Sequence, residues 1–540
     1  MFARVKKAGP YEYLQIVENR WENKRSIQRV IATIGRMDQI EAKGQVETLI
    51  RSLSRFSEKA LLVLSEKSDL DAEAKEIGPG LIFGRFWKEL EIDAILRRLL
   101  ADRKFGFDVE RAIFLTVLHR LFASGSDRSC DRWHGDCVVA GAEKLSLHHL
   151  YRAMAFLGEE IEDQKDHAFS PRCTKDVVEE ELFNHRRDLF GAIDIVFFDT
   201  TSLYFEGEGG ETLGELGHSK DHRPDLKQMI VGAVLDREGN PVCSEMWPGN
   251  TTDVTTLVPV VKRIKSRFPV GNLCIVADRG MISAETLAYL EKEKIPYILG
   301  GRMRRVREIR QDVLSRAGRY QEVPSSGGHS PLKVKEVVSA GHRWIVCLNE
   351  RQAKKDAADR NAIIESLKEK LKADPKSLVG NRGFRKYLSI DRETVSVNEA
   401  KIKEEARFDG KWVLRTNMDL PAAQVALKYK ELWRVEQVFR DMKSVLDTRP
   451  IFHQRDETIR GHVFCSFLAL VLMKELYRRL EKAGHDFEWA DVKQDLSALQ
   501  EITLSDNDRK LAVRSACKGT CGKVFQAIGV AVPLVIRKVP

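Results

Sequence analysis

The sequence predicts an α/β fold: a mixed sheet flanked by helices, with a helical region before it and a strand-rich insertion late in it. Three observations carry this reading. Short apolar runs between residues 194 and 300 read as strands, and two amphipathic stretches fall between the later ones. From about 84 to 160 apolar residues recur at helical spacing. Strand-like runs then return around Trp344 and Trp412.

The elements follow in order. Residues 11–35 alternate apolar and polar in two halves around a polar centre, a hairpin pattern. A helical region follows from about 45 to 70, and "GPG" at 78–80 punctuates the chain. "FDVERAIFLTVLHRLFASG" and "SLHHLYRAMAFLGEEI" are helical. At 194 the texture changes. "IVFFDTTSLYF" is a strand, and "MIVGAVLD" and "PVCSEMWP" are two more, joined by the turn "REGN". "TTDVTTLVPVVKRIKSRF" is a helix that Thr251, Thr252 or Asp253 caps. "NLCIVADRG" is a buried strand, "SAETLAYLEKEK" a helix and "IPYILGG" a strand. An arginine-dense stretch opens residues 301–420, a long helix runs from about 421 to 447, and another covers 463–479. The boundaries expected from this are 1–80 (hairpin and linker), 81–190 (helical), 191–300 (first part of the sheet), 301–420 (insertion), 421–482 (two helices) and 483–540 (an appendix).

Bulk properties bound the function. Hydrophobic residues make up 43 % and charged residues 31 %, which suits a protein with sizeable cores. Lys and Arg number 89 against 80 Asp and Glu, a formal charge of +9 that permits a polyanionic partner without demanding one. The nine cysteines are scattered, and the basic start "MFARVKKAGPYEYLQIV" lacks an apolar segment behind it, so reduced thiols in a cytoplasmic protein are expected. Cys130, His134 and Cys137, like Cys517 and Cys521, lack the matching second pair of a zinc site. The longest apolar run, 463–473, is too short for a bilayer, so no membrane partner is expected.

Two residues stand out. Asp199 and Asp278 each follow one of the most apolar strands. Alone, either reads as a turn or helix cap. Together at one sheet edge they bring two negative charges close, which is costly unless a cation lies between them. Hard divalent cations take such oxygen ligands. The helix "YKELWRVEQVFRDMKSVL" offers a third carboxylate. With Glu436 at the centre of the wheel, Tyr429, Trp433, Arg440 and Lys443 share its face, beside an apolar stripe of Leu432, Val435, Phe439, Met442 and Leu446.

Taken together these segments resemble the DDE transposases of bacterial insertion sequences. The resemblance is closest to the group marked by a Tyr-x2-Arg-x3-Glu-x6-Lys signature on the helix of the third acid. Tyr429, Glu436 and Lys443 match that spacing; Leu432 takes the arginine position, and Arg440 shares the face. "HSKDHRPDLKQMIVGAVLDREGNPVCSEMWPGNTTDVTTL" (218–257) is similar to the family's block between the first two acids, "ADRGM" to its second-acid segment and "RFDGKWVLRTNM" to its approach to the last helix. The likeness covers roughly 190–480.

The resemblance implies a ribonuclease-H-like core, with a strand-rich insertion in the long gap between Asp278 and Glu436. It implies an enzyme that cleaves DNA at the ends of an element and joins the 3′ ends to target DNA. Asp199, Asp278 and Glu436 would hold two Mg2+ ions, with Mn2+ able to substitute, and Tyr429 and Lys443 would grip phosphates. Double-stranded DNA with terminal inverted repeats and target DNA are the implied partners, a homodimer on paired ends the implied assembly, and a bacterial, nucleoid-associated cytoplasmic protein the implied setting. Lys220, Arg223 and Lys227 in the loop after the first strand, Arg302, Arg304 and Arg305 in the arginine-dense stretch, and Arg440 are further DNA-contact candidates. Two other readings stay open: a relative that binds DNA without cutting it, and a phosphohydrolase with Asp199 as nucleophile.

Overall fold

A computed structural model of the chain describes residues 2–22, 25–42, 45–54, 71–161, 170–186, 194–271, 273–323, 332–373, 382–390, 395–506 and 509–539. It divides into two compact units, residues 1–78 with 489–540, and residues 79–488.

The first unit joins both ends of the chain. Strands Phe2–Ala8, Tyr11–Glu22 and Arg25–Arg36 form an antiparallel sheet, in which the expected hairpin is the longer ladder. Asp71–Glu76 pairs with Gln500–Asp506, itself continued by Arg509–Arg514 and Ile536–Val539. Of the helical region expected from 45 to 70, Gln45–Ser54 is a helix; the rest lies outside the described residues.

The second unit is built on one nine-stranded sheet. Its strands are β1 (Asp194–Tyr204), β2 (Gln228–Leu235), β3 (Pro241–Pro248), β4 (Leu273–Ala277), β5 (Tyr297–Gly300), β6 (Gln321–Val323), β7 (Leu332–Ser339), β8 (His342–Asn349) and β9 (Lys411–Thr416). Their spatial order is β6-β7-β8-β9-β5-β4-β1-β2-β3. β1, β4 and β5 run parallel, and every other pairing is antiparallel. The β3-β2-β1-β4-β5 half, with helices between the later strands, is the ribonuclease-H-like arrangement. The strands around Trp344 and Trp412 extend this same sheet, because β9 pairs with β5.

The helices that matter to the site are α1 (Val109–Phe122), α2 (Asp127–Trp133), α3 (Leu147–Gly158), α4 (Thr174–Arg186), α5 (Asp253–Arg267), α6 (Ala284–Lys292), α7 (Ala422–Lys430), α8 (Trp433–Ser444) and α9 (Asp456–Lys482). α5 and α6 cover one face of the sheet. Val196, Phe198, Ile230, Val234 and Trp247 from the strands meet Leu257, Val261 and Ile264 of α5 and Leu290 of α6 there. α8 packs on β1 and β2 from the opposite face, and α9 packs beside it. α1 and α3 pack on α9, which is why α1 is apolar almost all round.

A buried charge network fastens α4 to the sheet. Arg267 of α5 reaches Glu179 at 2.7 Å, Glu180 at 2.8 Å and Glu245 of β3 at 3.3 Å. Arg263 reaches Glu245 at 2.9 Å and Asp176 at 3.2 Å. Lys175 donates to Asp176 at 2.9 Å and to the Ser244 carbonyl at 2.7 Å. Each buried carboxylate has a cation, the condition under which burial of charge is tolerated.

Candidate active site where two parallel strands meet

Phe198 of β1 pairs with Ala277 of β4 in the parallel ladder, so Asp199 and Asp278 come next, side by side. Neighbouring strands lie roughly 4.8 Å apart. Asp199 is not at the tip of its strand: β1 runs five residues further, paired with β2 through Tyr204, while β4 ends at Ala277. Alternation sends Val196 and Phe198 into the α5–α6 core and turns Asp199 toward the face covered by α8.

Burial pushes the Asp199 carboxyl up to about 6, against the pull of the Lys220 ammonium and the Thr200 N–H; Asp278 and Asp253 add to the rise. The Thr200 N–H donates to Asp199 Oδ1 at 2.7 Å. A carboxylate in such a setting is stabilised by a nearby positive charge. The donors are hard carboxylate oxygens, so the pair fits a divalent ion of the Mg2+ class.

Asp253 belongs to the site, and only its helix-capping position drew attention to it in the sequence. Its Oδ1 accepts from Thr200 Oγ1 at 2.6 Å, and its Oδ2 lies 3.1 Å from Lys220 Nζ. That ammonium also donates to the Thr200 carbonyl and hydroxyl, each at 2.8 Å. Lys220 therefore braces the backbone beside Asp199. Residue type and spacing do not mark Asp253 for this, because an aspartate in the first turn of a helix is commonplace.

A cleft of about 810 Å3 opens here, lined by Lys220, Asp253, Asp278, Arg279, Arg302 and Arg305 among others. Arg302 donates to the carbonyls of Arg279 and Gly280 at 2.9 and 2.8 Å and so holds the turn after Asp278. Arg304 pairs with Glu405 at 3.0 Å, and Arg305 is exposed. Arg223 pairs with Asp225 at 2.8 Å and Lys227 with Glu208 at 2.7 Å, both at the surface.

The expected long helix of 421–447 is two helices, α7 and α8, separated by a turn at Glu431 and Leu432. The hydrogen bonds tighten there: Leu432 N–H reaches Tyr429 O, and Arg434 N–H reaches Glu431 O. Tyr429, at the end of α7, is directed inward. Its hydroxyl donates to Asp278 Oδ1 at 2.9 Å, and burial with the nearby acids raises its own pKa. A Cβ on Gly300 would lie 2.5 Å from that hydroxyl, so glycine at the end of β5 makes room for the contact. Glu436 is exposed on α8, and among the described residues no hydrogen bond or ion pair joins it to either aspartate. Lys443 Nζ lies 2.8 Å from Asp221, and Arg440 is exposed, with a 3.3 Å bond to Gln437. Leu432, at the family's arginine position, is buried.

A second cluster, Asp127, His453 and His462, brings ligand atoms within 4.8 Å of one another. Arg120 Nη2 lies 2.7 Å from His462 Nδ1 and 3.5 Å from Asp127, so a cation already sits on that imidazole lone pair. The cluster ties α1 and α2 to the chain after α8; the oxygen-only aspartate pair suits a hard divalent ion better.

A ribonuclease-H-like sheet with paired aspartates at adjacent parallel strands defines a class of enzymes that act on nucleic-acid phosphodiesters. A family model described as the transposase DDE domain matches residues 191–472, and one for the N-terminal domain of IS1634 family transposases matches residues 3–67. The chain belongs to the DDE transposases of insertion sequences. No curated protein matches it. Its family acts on DNA and uses divalent metal; no described helix is long and apolar enough to cross a membrane.

Proposed function

We propose that this transposase cuts DNA at the terminal inverted repeats of its element and joins the freed 3′ ends to target DNA by Mg2+-dependent phosphoryl transfer. The observation that carries the reading is the adjacency of Asp199 and Asp278 on parallel strands, with the Asp199 carboxyl raised by burial. Asp199 and Asp278 would hold the ions, with Glu436 joining them when DNA draws α8 toward the pair. Bound divalent ions would activate the attacking oxygen and stabilise the leaving one.

The protein's own groups have distinct tasks in this scheme. Tyr429 orients Asp278, while Lys220 and Asp253 fix the backbone at Asp199 and Thr200. Arg305 and Arg440 are exposed and can meet phosphates, whereas Lys443 must first exchange Asp221 for one. A dimer on paired ends, working at the nucleoid, belongs to the same proposal. The test is nicking of a duplex carrying an element end. We expect Mg2+-dependent nicking by the wild type, supported also by Mn2+ and abolished in Asp199→Ala. Equal failure of both proteins under Mg2+ and Mn2+ would remove the enzymatic reading.

A further inference from the structure

The segment between α8 and α9, residues 445–455, is held at many points yet leaves one large apolar side chain in solvent. Ile451 pairs with Phe205: its N–H donates to the Tyr204 carbonyl at 3.1 Å, and its carbonyl accepts from Glu206 at 3.0 Å. Thr448 Oγ1 donates to Ser466 at 2.9 Å. The Arg449 guanidinium lies 5.4 Å from the centre of the Tyr204 ring and 3.5 Å from Asp221. His453 Nε2 is 3.1 Å from Asp127 and 3.1 Å from His462. Between buried Ile451 and partly buried His453, Phe452 remains 60 % exposed. A loop so fastened holds this ring outward rather than letting it fold back.

Phe452 borders a cleft of about 700 Å3, lined also by Arg128, Tyr151, Arg449 and Arg455. Tyr151 is partly solvent-facing, and Arg128 and Arg455 are exposed, the latter 3.6 Å from Glu457. Of the two acids at the cleft, Asp127 lies 3.5 Å from Arg120 and 3.1 Å from His453, and Asp447 is exposed. Flat rings interleaved with guanidinium groups match a nucleic-acid strand, whose bases stack and whose phosphates pair. Ion pairs link the cleft to the helix of Glu436: Arg449 of the cleft and Lys443 of α8 share Asp221.

We propose that this cleft is a DNA-binding subsite. Phe452 stacks on a base unpaired where the DNA leaves the acid site, and Arg128 and Arg455 take the flanking phosphates. The proposal rests on the transposase reading and adds a place where the strand is held. The probe is a duplex carrying one end of the element, with 2-aminopurine placed at successive positions around the cut. We expect wild type to change its fluorescence at one or two positions. Phe452→Ala should lose that change and bind about tenfold more weakly, and Phe452→Trp should restore both. Arg128→Ala and Arg455→Ala should each lower the salt dependence of binding by about one counterion while leaving the melting temperature unchanged. Wild-type nicking and binding that all three alanine substitutions leave intact would overturn the subsite alone. Absence of DNA binding by the wild type would overturn the subsite and the transposase reading together.

Discussion

The Tyr429 hydroxyl donates to Asp278 Oδ1 at 2.9 Å, across a sequence interval of 151 residues. The bond links the end of α7, just before the turn into the Glu436 helix, to the end of the strand that presents the second acid. Replacing Tyr429 with Phe keeps the ring and frees one carboxylate lone pair. We expect a stability loss of about 1 kcal/mol and a tenfold or smaller fall in nicking, recovered in part at high Mg2+. Urea melts and a Mg2+ titration of nicking check this; unchanged Mg2+ dependence would mean that Tyr429 has no part in orienting Asp278.

The raised Asp199 carboxyl makes stability depend on pH in a definite direction. Its folded value, about 6, lies above the ordinary 3.8, so the folded state holds the proton more tightly. Between those values the folded state carries more protons than the unfolded one, and stability falls as pH rises. Above the upper value the penalty is fully present, on the order of 3 kcal/mol. Asp199→Asn should therefore melt higher than wild type at pH 8 without divalent ions, and the difference should shrink toward pH 4. Thermal melts across that range decide it; a lower melting temperature for Asp199→Asn at pH 8 would contradict the assignment.

Divalent ions should remove the same penalty. Mg2+ is expected to raise the wild-type melting temperature at pH 8, by an amount that grows with the logarithm of concentration. Asp199→Asn should lose most of that response, and Asp127→Asn should keep it. A response abolished by Asp127→Asn would move the metal to the histidine cluster.

Lys220→Met removes a cation bonded to Thr200 and Asp253, leaving the Asp253 carboxylate beside Asp199 without its counterion. We expect a destabilisation of about 2 kcal/mol, partly recovered in the double substitution with Asp253→Asn. A double-mutant cycle on urea midpoints measures the coupling, and additive effects would separate the two residues.

Arg267→Met should be the most damaging of the substitutions outside the site. It strands Glu179 and Glu245 in the interior with fewer cations, at a cost of about 3–5 kcal/mol. Circular dichroism melts read this directly; a near-native melting temperature would show that Arg263 and Lys175 suffice.

The acid pair was legible because its signal is local. An apolar run followed by Asp, twice, needs only the expectation that both strands enter one sheet. The order of elements from β1 to β5 was legible for the same reason, since each has its own period of apolar residues. Asp253 was not, because its role comes from Thr200 and Lys220, which lie 53 and 33 residues away in the chain and meet it only once β1, its following loop and α5 are assembled. The break between α7 and α8 was hidden by a helical pattern that continues through Glu431 and Leu432; only the inward pull on Tyr429 coincides with it. The internal partners of the basic residues were not legible either. Lys220, Arg302 and Arg304 look alike in sequence to Arg305, yet they are already bonded within the protein.

The pairing of β9 with β5 has an engineering consequence. Residues 301–420 cannot be cut away to leave a minimal catalytic core, because the excision would bare the backbone donors and acceptors along β5, two strands from Asp199. An exposed strand edge of this kind invites another chain to add to it, so a shortened protein should clump rather than work, and what looks like an accessory segment is the selvedge that keeps the catalytic fabric from fraying.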